Sequence, residues 1–278
     1  MTSAGRRLRD ALEAERPLQV VGAINAYAAL LAERAGFRAL YLSGAGVANH
    51  SLGLPDLGMI QLDDVLTEAD RITAVTELPL LVDIDTGWGH AFTIGRAVRE
   101  LERAGVAAVQ IEDQVGAKRC GHRPNKELVE PEEMVARVRA AVAARDELLV
   151  VARTDASAVD DTVARAQRYV EAGADVIFAE ALRSLEDVRR VTSSVEAPVL
   201  VNLTEFGLTP LWTIEELREA GAAVALYPLS ASRAAARASE HVYEAIRRDG
   251  TQAGAVAEMQ TRDELYEVLD YLRWEELL

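Results

Sequence analysis

Short apolar runs rich in β-branched residues alternate along the chain with longer stretches where Glu and Arg interrupt the apolar positions. Eight runs stand out: Leu18–Ile24, Ala39–Leu42, Leu78–Ile84, Ala107–Ile111, Leu148–Ala152, Asp175–Ala179, Pro198–Val201 and Ala223–Leu226. They are almost continuously apolar, the pattern of parallel strands covered on both faces. The stretches between them, such as Ala91–Arg103, Pro131–Ala144 and Asp160–Glu171, read as helices. Four times an Ala-Gly pair leads into a run: Ala35-Gly36, Ala104-Gly105, Ala172-Gly173 and Ala220-Gly221. Glycine suits the left-handed residue just past a helix end, so these pairs mark helix termini. The pattern predicts an α/β fold, a (β/α)8 TIM-type barrel, with an open doubly wound sheet as the alternative. No Gly-x-Gly-x-x-Gly opens the first helix, which argues against a dinucleotide-binding sheet.

One domain is expected over 1–278, with 230–278 a C-terminal helical extension. That extension reads as a helix from Ser230 to Arg248, a break at Gly250–Gly254, and a second helix, Asp263–Leu277. Leu265, Val268, Leu269, Leu272 and Trp274 give the second helix an apolar stripe. It is expected to be exchanged with a neighbouring subunit; packing on its own barrel is the alternative.

Composition narrows the function. Half of the 278 residues are apolar, as in ordinary globular proteins, and the net charge is −15. Nucleic acid and anionic membrane are therefore not expected as partners, since both demand a basic face. The single cysteine, Cys120, allows no internal disulfide and fits a reducing compartment. Met1 to Asp10 carries arginines with no apolar segment behind them, unlike a secretory signal. No apolar run approaches the ~18 residues of a membrane span, so the cytoplasm is the expected location.

Barrel enzymes carry their chemistry at the C-terminal ends of the strands. Here the apolar runs close on Ser43 and Gly44, Asp83 and Asp85, Glu112 and Asp113, Arg153 and Asp155, Glu180, and Asn202 with Thr204. Asp83 and Asp85 lie two apart, so on a strand both would face the barrel mouth. Two carboxylates suit a hard ion, Mg²⁺ or Mn²⁺ as its substitute. Thr86-Gly87-Trp88-Gly89 follows as a tight turn, and Ser43-Gly44-Ala45-Gly46 resembles a backbone cradle for an anion. The four histidines lack zinc-ligand spacing.

The stretch from Glu112 to Lys126 is too long for an ordinary strand-to-helix connection and reads as a lid. Lys118, Arg119, His122, Arg123 and Lys126 flank Cys120, and neighbouring positive charge favours a thiolate. A mobile loop of this kind is able to carry the thiol over the mouth and exclude water.

Together these segments resemble the isocitrate lyase / phosphoenolpyruvate mutase superfamily, and within it the methylisocitrate lyases. The likeness rests on Tyr41-Leu42-Ser43-Gly44, Leu52-Gly53-Leu54-Pro55-Asp56, Asp83-Ile84-Asp85-Thr86-Gly87, Ile111-Glu112-Asp113-Gln114 and Lys118-Arg119-Cys120-Gly121-His122. Ala152-Arg153-Thr154-Asp155, Asn202-Leu203-Thr204-Glu205-Phe206-Gly207, Leu226-Tyr227-Pro228-Leu229-Ser230 and Met259-Gln260-Thr261-Arg262 extend it. It runs from about Val21 to the C-terminal helix. Ala45 departs from it, since family members often have glycine there.

The resemblance implies a helix-swapped barrel, usually a homotetramer, that needs Mg²⁺ and cleaves 2-methylisocitrate to pyruvate and succinate in propionate breakdown. Asp83 and Asp85 would hold the ion. Ser43, Gly44, Ala45, Cys120, Gly121, Arg153, Glu180, Asn202, Thr204, Arg233 and Arg262 would contact the small tricarboxylate substrate. Cys120 would exchange a proton with carbon, with Lys118 and His122 beside it in the lid. Tyr41 or a metal-bound water near Glu112 would take the hydroxyl proton. Phe178 and Leu226 would leave room for the substrate's methyl group. The alternatives are an isocitrate lyase, another 2-oxo or 2-hydroxy acid lyase or decarboxylase of the superfamily, and, from a different class, a non-catalytic metabolite-binding barrel.

Overall fold

The computed structural model describes residues 2–278; Met1, the first residue of the expected domain, lies outside the described residues. Eight parallel strands close into a barrel: β1 (Leu18–Gly22), β2 (Ala39–Leu42), β3 (Leu80–Asp83), β4 (Ala108–Glu112), β5 (Leu149–Thr154), β6 (Val176–Ala179), β7 (Val199–Asn202) and β8 (Val224–Tyr227). They pair in chain order and β8 returns to β1, so the barrel has no open edge. The alternative of an open sheet is thereby excluded. Each strand lies within two residues of its apolar run at either end. The differences at the C-terminal ends follow a rule. Asp83, Glu112, Thr154 and Asn202 belong to the strands although they are polar, because backbone pairing and not hydrophobicity decides where a strand stops.

The helices are α1 (Ala4–Ala14), α2 (Ala26–Arg34), α3 (Gly44–Gly46), α4 (Leu62–Thr73), α5 (Ala91–Arg103), α6 (Pro131–Ala144), α7 (Val159–Glu171), α8 (Leu185–Thr192), α9 (Ile214–Glu219), α10 (Ser230–Asp249), α11 (Arg262–Leu269) and α12 (Tyr271–Glu275). All four Ala-Gly pairs end helices as expected, with the glycines at φ between 80° and 103°.

Strand alternation divides the core in two. One set of side chains fills the barrel interior: Val20, Tyr41, Leu81, Val151, Phe178, Leu200 and Leu226. Leu8 and Ala11 of α1 join this set, so α1 plugs the N-terminal mouth. The other set, including Leu42, Leu80, Val82, Val109, Val150 and Ile177, packs outward against the helix ring. Two residues beyond the interior set, with the same orientation, come Ser43, Asp83, Arg153, Glu180 and Asn202. The alternation that fills the barrel with apolar side chains therefore delivers these polar ones to its C-terminal mouth.

The C-terminal extension differs from expectation. The helix expected over Asp263–Leu277 is two helices, because Asp270 adopts a left-handed conformation (φ 51°) and turns the chain between α11 and α12. Tyr266 and Tyr271 stack across that break with ring centroids 4.1 Å apart. α11 touches α2 through Arg34 and Glu267, 2.6 Å apart. Yet neither α11 nor α12 buries a residue, and Leu272 and Trp274 are exposed. Among the described residues, no helix is long and apolar enough to cross a membrane.

Ile94 on α5 is fully buried between the helix ring and the turn after β3. Ile94→Ala is expected to lower stability by about 2–5 kcal/mol, the range for a buried aliphatic cut back to alanine. Urea unfolding checks this as a lower midpoint with an unchanged slope.

Candidate active site

A cavity of about 580 Å³ opens at the C-terminal end of the barrel. Its walls include Tyr41, Ser43, Ala45, Asp83, Lys118, Cys120, Gly121, His122, Arg153, Phe178, Glu180, Asn202, Thr204, Leu226 and Arg233. Two residues read as substrate contacts are not in this wall. Gly44 donates its backbone N–H to Asp83 Oδ2 at 3.1 Å and serves the carboxylate instead of an incoming anion. Arg262 is the exposed first residue of α11, away from the cavity of its own chain, because its helix follows the break after α10.

Asp83, Asp85 and Glu112 bring carboxylate oxygens within 4.8 Å of one another, and all three residues are buried. The route to this arrangement differs from simple strand alternation. Asp83 ends β3, whereas Asp85 lies beyond it with φ 49°, and the turn closes through Gly87 at φ 86°. A Cβ on Gly87 would stand 2.5 Å from Ile94, so the sequence needs glycine there for both conformation and space. Asp83 is aimed by two backbone donors, Gly44 N–H and Asp85 N–H, the latter at 3.0 Å from Oδ1. Glu112, read from the sequence beside the proton-transfer step, is the third member of the cluster.

Burial penalises ionisation here. It pushes the Asp85 carboxyl up to about 6, against the pull of Lys118, and raises Glu112 well above the carboxylate range, against Arg153 and Lys118. Asp85 Oδ1 and both Glu112 oxygens are buried without an aligned hydrogen bond. Lys118 Nζ stands 2.7 Å from Asp85 Oδ1 and 2.5 Å from Asp56. Across the mouth, Arg153 meets Asp155 at 2.8 Å, Glu180 at 3.1 Å and Glu112 at 3.4 Å, and its guanidinium lies 5.1 Å over the Phe178 ring. Burial opposes ionisation of Glu180, but Arg153 and His122 hold its carboxyl down at about 2. Asn202 Nδ2 donates to Glu180 as well.

Five cations, Lys118, Arg123, Lys126, Arg153 and Arg233, thus stand among seven carboxylates: Asp56, Asp83, Asp85, Glu112, Asp155, Glu180 and Glu205. Cations alone therefore do not make the mouth attractive to a tricarboxylate. A divalent cation at the carboxylate cluster would fit the two Glu112 oxygens, which lack an aligned hydrogen bond, and would shift that balance locally.

The segment from Asp113 to Glu130 folds over the cavity. Its base is pinned by Val115 N–H to Glu127 O at 3.0 Å and Val129 N–H to Asp113 O at 2.9 Å. Gln114, buried, clasps the backbone of Arg119 in both directions at 2.9 and 3.0 Å. Gly121 lies flat on Arg153, with a Cβ there only 2.5 Å from Glu180 and 2.7 Å from Asp155. Lys126 reaches Asp155 at 3.0 Å. The lid's cations therefore do not gather round the thiol as the sequence implied. Lys118, His122 and Lys126 turn to carboxylates, since buried negative charge is the stronger attraction. Cys120 itself is exposed and lines the cavity.

Tyr41 is a poor candidate for the base. Burial first, and Asp83 next, raise its phenol well above the usual value, and its hydroxyl donates to Gln110 Oε1 at 2.7 Å. Sequence reasoning also gave no role to Asp56, Gln110, Gln114 or the buried Asp113. Asp113 accepts from Tyr169 at 2.8 Å, Arg165 at 3.3 Å and the Asp155 backbone N–H at 2.9 Å. Asp56, Asp113 and Gln114 fall inside motifs that carry the resemblance, but the groups that hold the Asp113 side chain lie more than 40 residues away in sequence.

The model of the family described as phosphoenolpyruvate phosphomutase matches residues 8–247. A 2-methylisocitrate lyase of Escherichia coli (strain K12) is 57% identical, over 99% of this chain and 95% of its own. One from Aeropyrum pernix is 48% identical, over 98% of this chain and 89% of its own. Among solved structures, a 2,3-dimethylmalate lyase superposes with a TM-score of 0.92 at 35% identity, covering 100% of this chain and 95% of that one. A phosphonopyruvate hydrolase in complex with oxalate and Mg²⁺ superposes at 0.86 with 28% identity, covering 99% and 98%. A barrel closed strand by strand, a three-carboxylate cluster at its mouth and this likeness over nearly the whole length agree, and the chain belongs to the phosphoenolpyruvate phosphomutase family.

Proposed function

We propose that the chain is a Mg²⁺-dependent carbon–carbon lyase that cleaves 2-methylisocitrate to pyruvate and succinate. The observation that carries this reading is the buried Asp83, Asp85 and Glu112 cluster beneath a lid bearing the only thiol. The 57% identity to a 2-methylisocitrate lyase over 99% of the chain supports the choice of substrate. Phe178 and Leu226, both in the cavity wall, offer an apolar surface to the methyl group.

When bound by Asp83, Asp85 and Glu112, Mg²⁺ would supply Lewis-acid stabilisation of the oxygen that becomes the ketone. Glu112, buried and with neither oxygen in an aligned hydrogen bond, is placed to orient the water that accepts the hydroxyl proton. As the C–O bond becomes C=O, the C2–C3 bond breaks and its electron pair passes to the succinate fragment. Arg153, Asn202, Thr204 and Arg233 meet the charge that develops there, a stabilisation that costs no reorganisation. The Cys120 thiol then gives its proton to C3 and completes the succinate. Gly121 and His122 hold the lid against Arg153 and Glu180, which keeps water from the carbanion.

The exposed apolar residues of the last three helices, among them Tyr243, Leu272, Trp274 and Leu277, support a homo-oligomer in which this extension packs on another copy. Residues 230–278 would then be an exchanged arm of a single barrel domain. A tetramer in the cytoplasm is the assembly and location we propose.

With Mg²⁺, the purified protein is expected to release pyruvate from 2-methylisocitrate, followed by a coupled lactate dehydrogenase assay. Cys120→Ser should retain its fold and lose at least about a hundredfold in kcat, the lower range for removing a proton-transfer group. Wild-type turnover in that variant contradicts the role of the thiol. Isocitrate should yield glyoxylate about 10–200-fold less efficiently, since one methyl contributes ~1–3 kcal/mol of discrimination.

Metal binding is expected to follow pH. Because burial raises the metal-free Asp85 carboxyl to about 6, a proton competes with the ion below that pH and is absent above it. Titration calorimetry with Mn²⁺ should give affinity that weakens as pH falls through 6, and Asp83→Asn should abolish the binding isotherm.

A further inference from the structure

The lid is held at its far corner by Phe206 to Leu208, the part of the turn after β7 that the proposed chemistry does not use. His122 Nδ1 accepts the backbone N–H of Leu208 at 2.9 Å. A ring nitrogen accepts only when it carries no proton, so the proton of the neutral ring sits on Nε2. That nitrogen faces Glu180 Oε1 at 3.1 Å. One imidazole therefore bonds the lid to the β7 turn and lies beside the end of β6, its Nε2 in no aligned hydrogen bond. The turn is shaped for this contact. Phe206 has φ 62°, a strained conformation for any residue but glycine, and it swings Gly207 and the Leu208 N–H towards the lid. A Cβ on Gly207 would stand 2.8 Å from His122 Nδ1, 3.0 Å from His122 Cε1 and 2.9 Å from Thr204 Cγ2. The ring thus rests directly on glycine backbone.

We propose that Gly207 and the Leu208 N–H form the receiving half of a latch that holds the lid shut. They are positioning residues, acting through His122 on Cys120, which precedes it by two positions. The lid's position is the whole content of the inference, and it stands whichever acid the cavity takes.

Lys118 is buried under the closed lid, so tryptic cleavage after Lys118 reports lid opening at one site, and amide hydrogen exchange across residues 114–126 gives a second, independent reading. In the free full-length protein, Gly207→Ala should speed both by about tenfold, the scale of one lost hydrogen bond. His122→Ala should do the same, and the double variant should be no faster than His122→Ala, because the added methyl then meets no lid atom and only the Thr204 methyl of its own turn. Rates in Gly207→Ala equal to wild type, or a full additional effect of Ala at 207 in the His122→Ala background, would overturn the latch. If circular dichroism finds Gly207→Ala unfolded, His122→Phe keeps the ring and removes the acceptor. It should likewise open the lid, and wild-type rates in it would overturn the proposal. Protection of Cys120 from iodoacetamide in the wild type by Mg²⁺ with pyruvate and succinate tests the proposed reaction separately.

Discussion

Buried negative charge in excess is the constraint around which this molecule is arranged. Seven carboxylates converge at one end of the barrel with five cations among them. Burial makes such groups resist ionisation, which is why Asp85 is raised to about 6 and Glu112 is raised well above its ordinary range. Isolated, they would weaken the fold. Beneath a divalent cation they become ligands, and the same charge that opposes burial recruits the ion.

The rest of the fold serves that convergence. A closed eight-stranded barrel has one interior alternation, so a strand that buries Leu81 must present Asp83 next, and one that buries Phe178 must present Glu180. The left-handed turn at Asp85 then returns a second carboxylate to the same point. Lys118 descends from the lid onto Asp56 and Asp85, which joins the lid to one of the carboxylates proposed to hold the ion. The lid carries Cys120 on a frame in which Gln114, Lys118, His122 and Lys126 stand against groups of the barrel or the lid base.

The barrel was legible in the sequence because apolar runs and Ala-Gly terminators are local signals, and the ends of the strands told which polar residues would face the mouth. What stayed hidden depends on distant partners. The spacing of Asp83 and Asp85 was read as strand alternation, yet it is the backbone at Asp85 and Gly87 that makes them converge. Five positive residues around Cys120 looked like a thiolate environment until three of them were drawn to carboxylates more than 25 residues away in sequence. Tyr41 was a fair candidate for a base by position, but a hydroxyl bonded to Gln110 across the interior keeps its proton. The last helix was read as continuous because nothing in the apolar stripe marks Asp270 as the residue that turns left-handed.

The central claim is that Asp83, Asp85 and Glu112 hold one divalent ion. Anomalous diffraction at the manganese edge from crystals grown with Mn²⁺ tests it most directly. The account requires a single strong peak within coordination distance, about 2.0–2.3 Å, of oxygens of this cluster. A strong peak elsewhere, or none at this cluster with the ion in excess, would contradict it.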